Sequence, residues 1–278
     1  MNLNDVGYDA IITMTPTPQS SSISSDEIAW SANDLVNDPH QIGDKAERVR
    51  SMFGAIADSY DLKNRIHSFG LDQTWRRKTV CHCQVKPTDD VLDVACGTGD
   101  LAEAFASANP ATVTGLDFTE PMLKIAREKA IGRTRSAGLP VPRYIRGDAM
   151  DLPQADGSMD IVSIAFGIRN VADPGRALGE FRRVLRPGGR LAVLEFSEPS
   201  MPILRAFNRL YTRRIMPITA TLLARDRSGA YRYLPRSVAT FHDRDSFTQL
   251  LTEARFESVE LYPLTFGVCV VYLATVGS

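Results

Sequence analysis

Residues 91–100 read VLDVACGTGD, an apolar run holding one acid and closing in a tight glycine turn; a helix-forming run, LAEAFA at 101–106, comes directly after it. No other stretch constrains the fold as much. Gly97 and Gly99 lack the Cβ atoms that would hold a ligand away from the backbone, and glycine tolerates positive φ. A strand that passes through glycines straight into a helix is the edge at which open α/β sheets hold nucleotide-like ligands. The turn alone leaves the ligand open, because residues 97–102 also satisfy the loose G-x-G-x-x-A dinucleotide pattern.

The order of the later strands along the chain narrows the choice. A second apolar run, Thr112–Asp117, ends in a carboxylate 18 residues after Gly99. Asp117 there can accept both ribose hydroxyls of an adenosine, which holds equally for a nicotinamide dinucleotide. TEP at 119–121 then opens a helix, with a hydroxyl near the cap and proline in the first turn. A third run, 144–148, ends in Asp148, an acceptor for an adenine amino group, with Ala149 next to it. A fourth, 159–166, leads into GIRN at 167–170. A helix ending at Leu185 meets RPGG at 186–189, whose Pro-Gly suits a type II turn, and a fifth strand covers 190–196. Runs at 256–262 and 268–274 read as an antiparallel pair at the sheet edge. Singly, each piece has a plainer reading: a strand-end aspartate is an ordinary turn residue or helix cap, and Gly188 and Gly189 serve turn geometry.

Acid-ended strands in this order, closed by RPGG and a strand, resemble class I S-adenosylmethionine (SAM)-dependent methyltransferases. The likeness sharpens in four blocks: RVLRPGGRLAVLEFS at 183–197, FGIRNV at 166–171, YRYLPRS at 231–237, and MFGAIADSYD at 52–61 with Asn64, Ser68 and Trp75. These resemble the signatures of the UbiE/MenG family, the ubiquinone/menaquinone biosynthesis C-methyltransferases, over roughly residues 47–275. The resemblance implies a Rossmann-like α/β sheet of about seven mostly parallel strands, with helices on both faces and an inserted helical lid. It implies SAM as cofactor, held by Asp93, Gly97, Thr98, Gly99, Asp117, Phe118, Asp148, Ala149 and Ala165, with Asp93 acting directly or through the loop it orders. The implied acceptor is a reduced polyprenyl quinone precursor, demethylmenaquinol first, with a ubiquinone precursor or another lipophilic phenol as alternatives. Four positions depart from the family pattern: Lys63, His67 and Asp72 in the N-terminal signature, and Ala165 before the FGIRN block.

The chemistry is set by the acceptor. The sulfonium methyl is already electrophilic, so the protein must align it with a nucleophile. A ring carbon becomes nucleophilic when a neighbouring hydroxyl loses its proton, which a hydroquinone allows and a quinone does not. Arg169, just after the fourth strand, is the candidate to stabilise the phenolate. A guanidinium stays protonated at physiological pH, so proton removal there would pass through water, with Asn170 orienting it. Tyr231 and Tyr233 are candidate partners of the ring oxygens. The plainer readings are Arg169 paired with a nearby acid, Asn170 capping a turn and the tyrosines filling a lid. His67 and His242 are weaker candidate bases. Two rivals of other classes stand: a nicotinamide-dependent oxidoreductase, and a non-catalytic SAM-binding component of a quinone-synthesis complex.

The chain of 278 residues suffices for one well-buried domain with appendages. A net charge of −1 argues against general nucleic-acid binding, and no apolar run approaches the length of a membrane span. Four cysteines fit a reducing compartment; CHC at 81–83 lacks a second ligand pair at zinc spacing, so no metal is expected. Residues 1–44 hold seven acids and no Lys or Arg, against a secretory or transit signal. We therefore expect a disordered leader over 1–45 and a methyltransferase domain over 46–278, with N-terminal helices at 46–85 and a helical lid at 198–240. Phe53, Tyr60, Phe69 and Trp75 either wall the pocket or form core. In the lid, Leu204, Phe207, Tyr211 and Ile215 share a helical face opposite Arg205, Arg209 and Arg213. That pattern suits either peripheral contact with anionic lipid or a solvated basic face. A cytoplasmic protein is the expected form, with or without peripheral contact at the inner face of the membrane, alone or as a homodimer.

Overall fold

The computed structural model describes residues 29–30, 34–35, 38–137, 140–199, 201–205 and 229–277. The expected amphipathic helix at 203–215 lies almost wholly outside them.

Seven strands form one sheet: β1 (Asp90–Val94), β2 (Thr112–Asp117), β3 (Arg143–Arg146), β4 (Met159–Ala165), β5 (Leu185–Phe196), β6 (Ser258–Leu264) and β7 (Cys269–Thr275). Their order is β3-β2-β1-β4-β5-β7-β6. The first five pair in parallel, while β7 runs antiparallel between β5 and β6. The order reverses at β1, where the chain passes first to β2 and later to β4; that switch point is where such sheets leave a crevice.

The main helices among the described residues are α1 (Lys45–His67), α2 (Leu71–His82), α3 (Asp100–Ala106), α4 (Glu120–Ala137), α5 (Pro174–Val184), α6 (Ala230–Thr240) and α7 (Arg244–Glu253). Both faces of the sheet are buried, which is why its central strands read as nearly unbroken apolar runs. Leu92, Val94, Val162, Ile164, Leu191 and Val193 point to one face, against Phe181 of α5 and Phe247 of α7. Val91, Val113, Ile161 and Ala192 point to the other, against Leu101, Phe105 and Leu123 of α3 and α4. Local caps set the helix starts: Asp173 accepts from Arg176 N ahead of Pro174, and Asp243 accepts from Ser246 N.

Several boundaries differ from expectation. The third strand is Arg143–Arg146, leaving Asp148 beyond it in a bridge with Asp151. The helix expected to end at Leu185 ends at Val184; the RPGG turn is a bulged start to β5, with Gly188 at φ 72°. The leader is not unstructured throughout. Ala29 and Trp30 are buried, and Trp30 stacks on Tyr233 with ring centroids 4.5 Å apart. A large aromatic ring with a partner to cover it leaves water readily. The packed chain therefore begins before the expected boundary at 45.

Candidate active site

Two adjoining cavities open at the C-terminal edge of the parallel strands. The smaller has an empty volume of about 770 Å³ and the larger about 1560 Å³. Phe53, Tyr60 and Phe166 line both, so the two spaces meet at those three rings.

The smaller cavity is built on the glycine turn. Gly97 has φ 55°, and a Cβ added there would meet nothing within 4 Å, so its backbone faces open space. Asp117, the last residue of β2, is tied to the loops on either side: Oδ2 accepts from Gly97 N and Oδ1 from Thr119 N, each at 2.8 Å. Burial pushes its carboxyl above the usual range, partly offset by these backbone donors. Asp148 accepts from Met150 N at 2.9 Å and lines the same cavity with Ala149. Phe118, Ala165 and Asn170 also line this space, with apolar Val49, Met122, Met150 and Val171. Ala95 and Phe166, at the ends of β1 and β4, have φ of 50° and 56°. Non-glycine residues held in that region are strained, and such strain gathers where a site requires it.

Three residues expected at the cofactor lie behind this lining. Asp93 is buried beneath it, accepting from Ser163 Oγ at 2.7 Å, and burial raises its pKa to about 7. Thr98 turns its hydroxyl to Asp61 of α1 at 2.5 Å. Gly99 (φ 86°) is packed tightly: a Cβ there would run into the Tyr144 hydroxyl.

The lining fits a cationic adenosine better than a dinucleotide. Among the described residues lining the smaller cavity are two carboxylates and no Lys or Arg. A pyrophosphate would meet acids and no counter-charge, while a ribose diol, an adenine amino group and a sulfonium suit acceptors and apolar side chains.

The larger cavity is mostly apolar, with Met52, Ile56, Trp75, Phe196, Leu234 and Val268 among its walls. Arg169 enters it from the turn after β4. One of its nitrogens, Nη1, donates to Phe166 O at 2.8 Å and to Glu195 Oε1 at 2.6 Å, and its guanidinium stands 5.3 Å from the centre of the Phe196 ring. Burial raises the Glu195 carboxyl above its usual range and Arg169 pulls it back. Asn170 Nδ2 donates to the same Phe166 carbonyl at 3.2 Å, and its Oδ1 accepts from the buried Tyr233 hydroxyl at 2.9 Å. Burial pushes the Tyr233 phenol up to about 12. The structure thus joins Arg169, Asn170 and Tyr233 through Phe166; the Tyr231 side chain lies outside the described residues.

Some site residues carry no clear signal in the sequence. Glu195 reads there as one acid in an apolar strand. Tyr60 reads as wall or core, yet it faces both cavities. Phe53 and Trp75 are walls, whereas Phe69 is largely exposed. His67 and Asp72, two departures from the family pattern, both line the larger cavity.

Residues 41–276 match the model of the ubiE/COQ5 methyltransferase family. A demethylmenaquinone methyltransferase of Thermus thermophilus is 46% identical over 223 residues, 80% of this chain and 98% of that protein. A ubiquinone/menaquinone biosynthesis C-methyltransferase UbiE of a Geobacter species is 40% identical over 238 residues, 85% of this chain and 99% of that protein. Among solved structures, a SAM-dependent methyltransferase of Thermotoga maritima superposes with a TM-score of 0.57 at 20% identity, covering 82% of this chain and 99% of that one. One from Aquifex aeolicus gives 0.51 at 18% identity, covering 72% and 89%. These superpositions bear on the fold.

Proposed function

The chain belongs to the ubiE/COQ5 methyltransferase family, and from that premise we propose that it methylates a ring carbon of a reduced polyprenyl quinone precursor, demethylmenaquinol before a benzoquinol. The observation that carries this reading is the junction of the two cavities: a small acid-lined space and a larger apolar one meet at Phe53, Tyr60 and Phe166. A cofactor in the first and an aromatic acceptor in the second would face each other there.

In this reading Asp117 and Asp148 hold the ribose and adenine of SAM, with Phe118, Ala149 and Ala165 packed about them and the Gly97 backbone left clear for close approach. Asp93, Thr98 and Gly99 act from behind, by fixing the loop. SAM, when bound, supplies an electrophilic methyl group. The apolar walls of the larger cavity exclude water and align the acceptor ring. Arg169 stabilises the oxygen beside the reacting carbon as its proton leaves; Glu195 and the Phe166 carbonyl hold the guanidinium in position for that task. Asn170, held by Tyr233, orients the water that takes the proton. Glu195 offsets part of the charge, so Arg169 acts as an aimed dipole donor more than as a bare cation.

No helix among the described residues is long and apolar enough to cross a membrane. In this reading the enzyme works at the cytoplasmic membrane surface, where such an acceptor resides. Leu62, Ile66 and Phe69 are exposed on α1 and the turn after it, interleaved with Asn64, His67 and Ser68 of the larger cavity. They are the apolar rim through which a prenyl chain would enter.

The test is transfer of labelled methyl from SAM to chemically reduced demethylmenaquinone in vesicles, with the oxidised quinone and a reduced demethylated ubiquinone precursor in parallel. Product from the reduced naphthoquinol alone is expected, with the enzyme cosedimenting with the vesicles. SAM binding without methylation of any acceptor would overturn the substrate and favour a scaffold role.

A further inference from the structure

The larger cavity holds a second charged pair that the reaction as described leaves unused. Asp72 and Arg76, one turn apart on α2, form an ion pair at 2.9 Å, with side chains only 5% and 8% exposed, and both line the cavity. Taking two charges out of water is costly unless geometry and further hydrogen bonds compensate. They do so here. Ser68 donates its hydroxyl to Asp72 Oδ1 at 2.9 Å, and Gln73 donates to Oδ2 at 3.1 Å.

The pair has a counterpart. The Arg76 guanidinium stands 5.6 Å from the centre of the Phe166 ring, Arg169 stands 5.3 Å from that of Phe196, and the two ring centres are 4.6 Å apart. Each ring of this aromatic pair therefore carries a guanidinium, and each guanidinium has its own carboxylate, Asp72 or Glu195. A para-hydroquinone likewise presents two oxygens, at opposite ends of one ring. If only Arg169 served it, the remote hydroxyl would be buried without a partner, which is unfavourable.

We propose that Asp72 and Arg76 receive the ring oxygen remote from the Arg169 end, and that this pair selects the reduced ring over the oxidised one. The proposal rests on the reading of the acceptor as a para-hydroquinone. A hydroxyl both donates and accepts, so it can donate a hydrogen bond to the Asp72 carboxylate while accepting one from an Arg76 N–H. A quinone carbonyl only accepts. Arg76 can still serve it, but against the Asp72 carboxylate paired with Arg76 it places two oxygens face to face with no proton between them, so it forms one contact fewer than the hydroxyl. The pair thus favours the form whose ring carbon is nucleophilic, before any chemistry begins.

Three measurements test this. In the wild-type enzyme, a prenylated 1-naphthol lacking the remote hydroxyl should show a KM raised by about tenfold or more over the hydroquinone, since a site built around a hydroxyl rejects the analogue without it. The oxidised quinone should inhibit with a Ki at least about tenfold above the quinol KM on the same ground. Asp72→Asn replaces an acceptor-only group by one that can also donate. Its Ki for the quinone should fall and its quinol KM should rise, so that their ratio collapses while SAM affinity is unchanged. If Asp72→Asn does not fold, the wild-type comparison decides alone. A deoxy analogue with the parent's KM, or a folded variant with the wild-type ratio, overturns the proposal and leaves the substrate standing. Absence of methylation of the parent hydroquinone removes the substrate reading first, and this proposal with it.

Discussion

Replacing Arg169 by alanine would strand Glu195, because the two form a pair with side chains 5% and 3% exposed. Removing one partner of such a pair costs about 3–5 kcal/mol, enough to confuse a catalytic role with a structural one. Arg169→Lys is the sharper substitution: it keeps the charge beside Glu195 and loses the planar fork that meets the Phe166 carbonyl and the acceptor oxygen together. We expect kcat to fall by on the order of 100-fold, the effect of losing one aimed donor, with the SAM dissociation constant unchanged by calorimetry. Equal loss of turnover and SAM affinity would mark Arg169 as structural. Single residues are unevenly legible in the sequence. The positive φ of Gly97 and Gly99 can be read from the turn they form, but not the difference between them. Gly97 clears space at the cavity, whereas Gly99 makes room for Tyr144, a neighbour 45 positions away in the chain. Glu195 is illegible for the same reason: its meaning comes from Arg169, and nothing in a strand sequence announces a partner from the adjoining turn.

At the scale of elements, α1 roofs the smaller cavity with Val49, Phe53 and Tyr60 and is pinned near both ends. At its start, Lys45 donates to the Val171 carbonyl at 2.6 Å. Towards its end, Asp61 accepts from Thr98 of the glycine turn at 2.5 Å and from Lys129 of α4 at 3.0 Å. Lys129 also meets Asp100, the first residue of α3, which Gln73 of α2 reaches at 2.8 Å. The Lys129 ammonium bridges the two carboxylates at the join of four helices, with Arg65 3.9 Å from Asp100 beside it. Lys129→Met should remove the cation that bridges Asp61 and Asp100, leaving Asp100 to Arg65, and let the end of α1 lift from the turn. We expect SAM affinity to weaken about tenfold, which is about 1.4 kcal/mol, and α1 to become more open to proteolysis. Lys129→Arg should stay near wild type; a full-affinity Met variant would show that α1 is held by packing alone. The sheet is easier to foresee than this roof. Burial on both faces writes a strand as an apolar run that can be recognised without its neighbours. The roof depends on contacts between elements far apart in sequence, and so does the seating of Trp30 on Tyr233, which draws part of the expected leader into the packed chain.

Over the whole molecule, the described carboxyls that burial raises gather at one end of the sheet. Asp93 on β1, Asp117 on β2 and Glu195 on β5 lie at or next to the C-terminal ends of their strands, and burial is the largest cause raising the pKa of each. This is a consequence of the fold: a parallel sheet brings all its strand ends to one crevice, and acids buried in or beneath that crevice sit in low dielectric. The arrangement has a cost that depends on pH. For Asp93 the unfolded carboxyl titrates near the ordinary value of 3.8 and the folded one near 7. Below about pH 3 both states are protonated and the group costs nothing. As pH rises, the unfolded chain ionises first, so the native state loses ground up to about pH 7 and stays constant above it. Asp93→Asn removes this titration and keeps an oxygen for the Ser163 hydroxyl. His40, His67 and His82, whose pKa values burial lowers, are present in both proteins and largely cancel in the difference. The urea midpoint of the cofactor-free Asn variant, measured relative to wild type, should therefore climb between about pH 5 and pH 7 and level off by about pH 8. A difference that is flat across that range would place the Asp93 carboxylate in a far more polar setting than its position under the glycine turn implies.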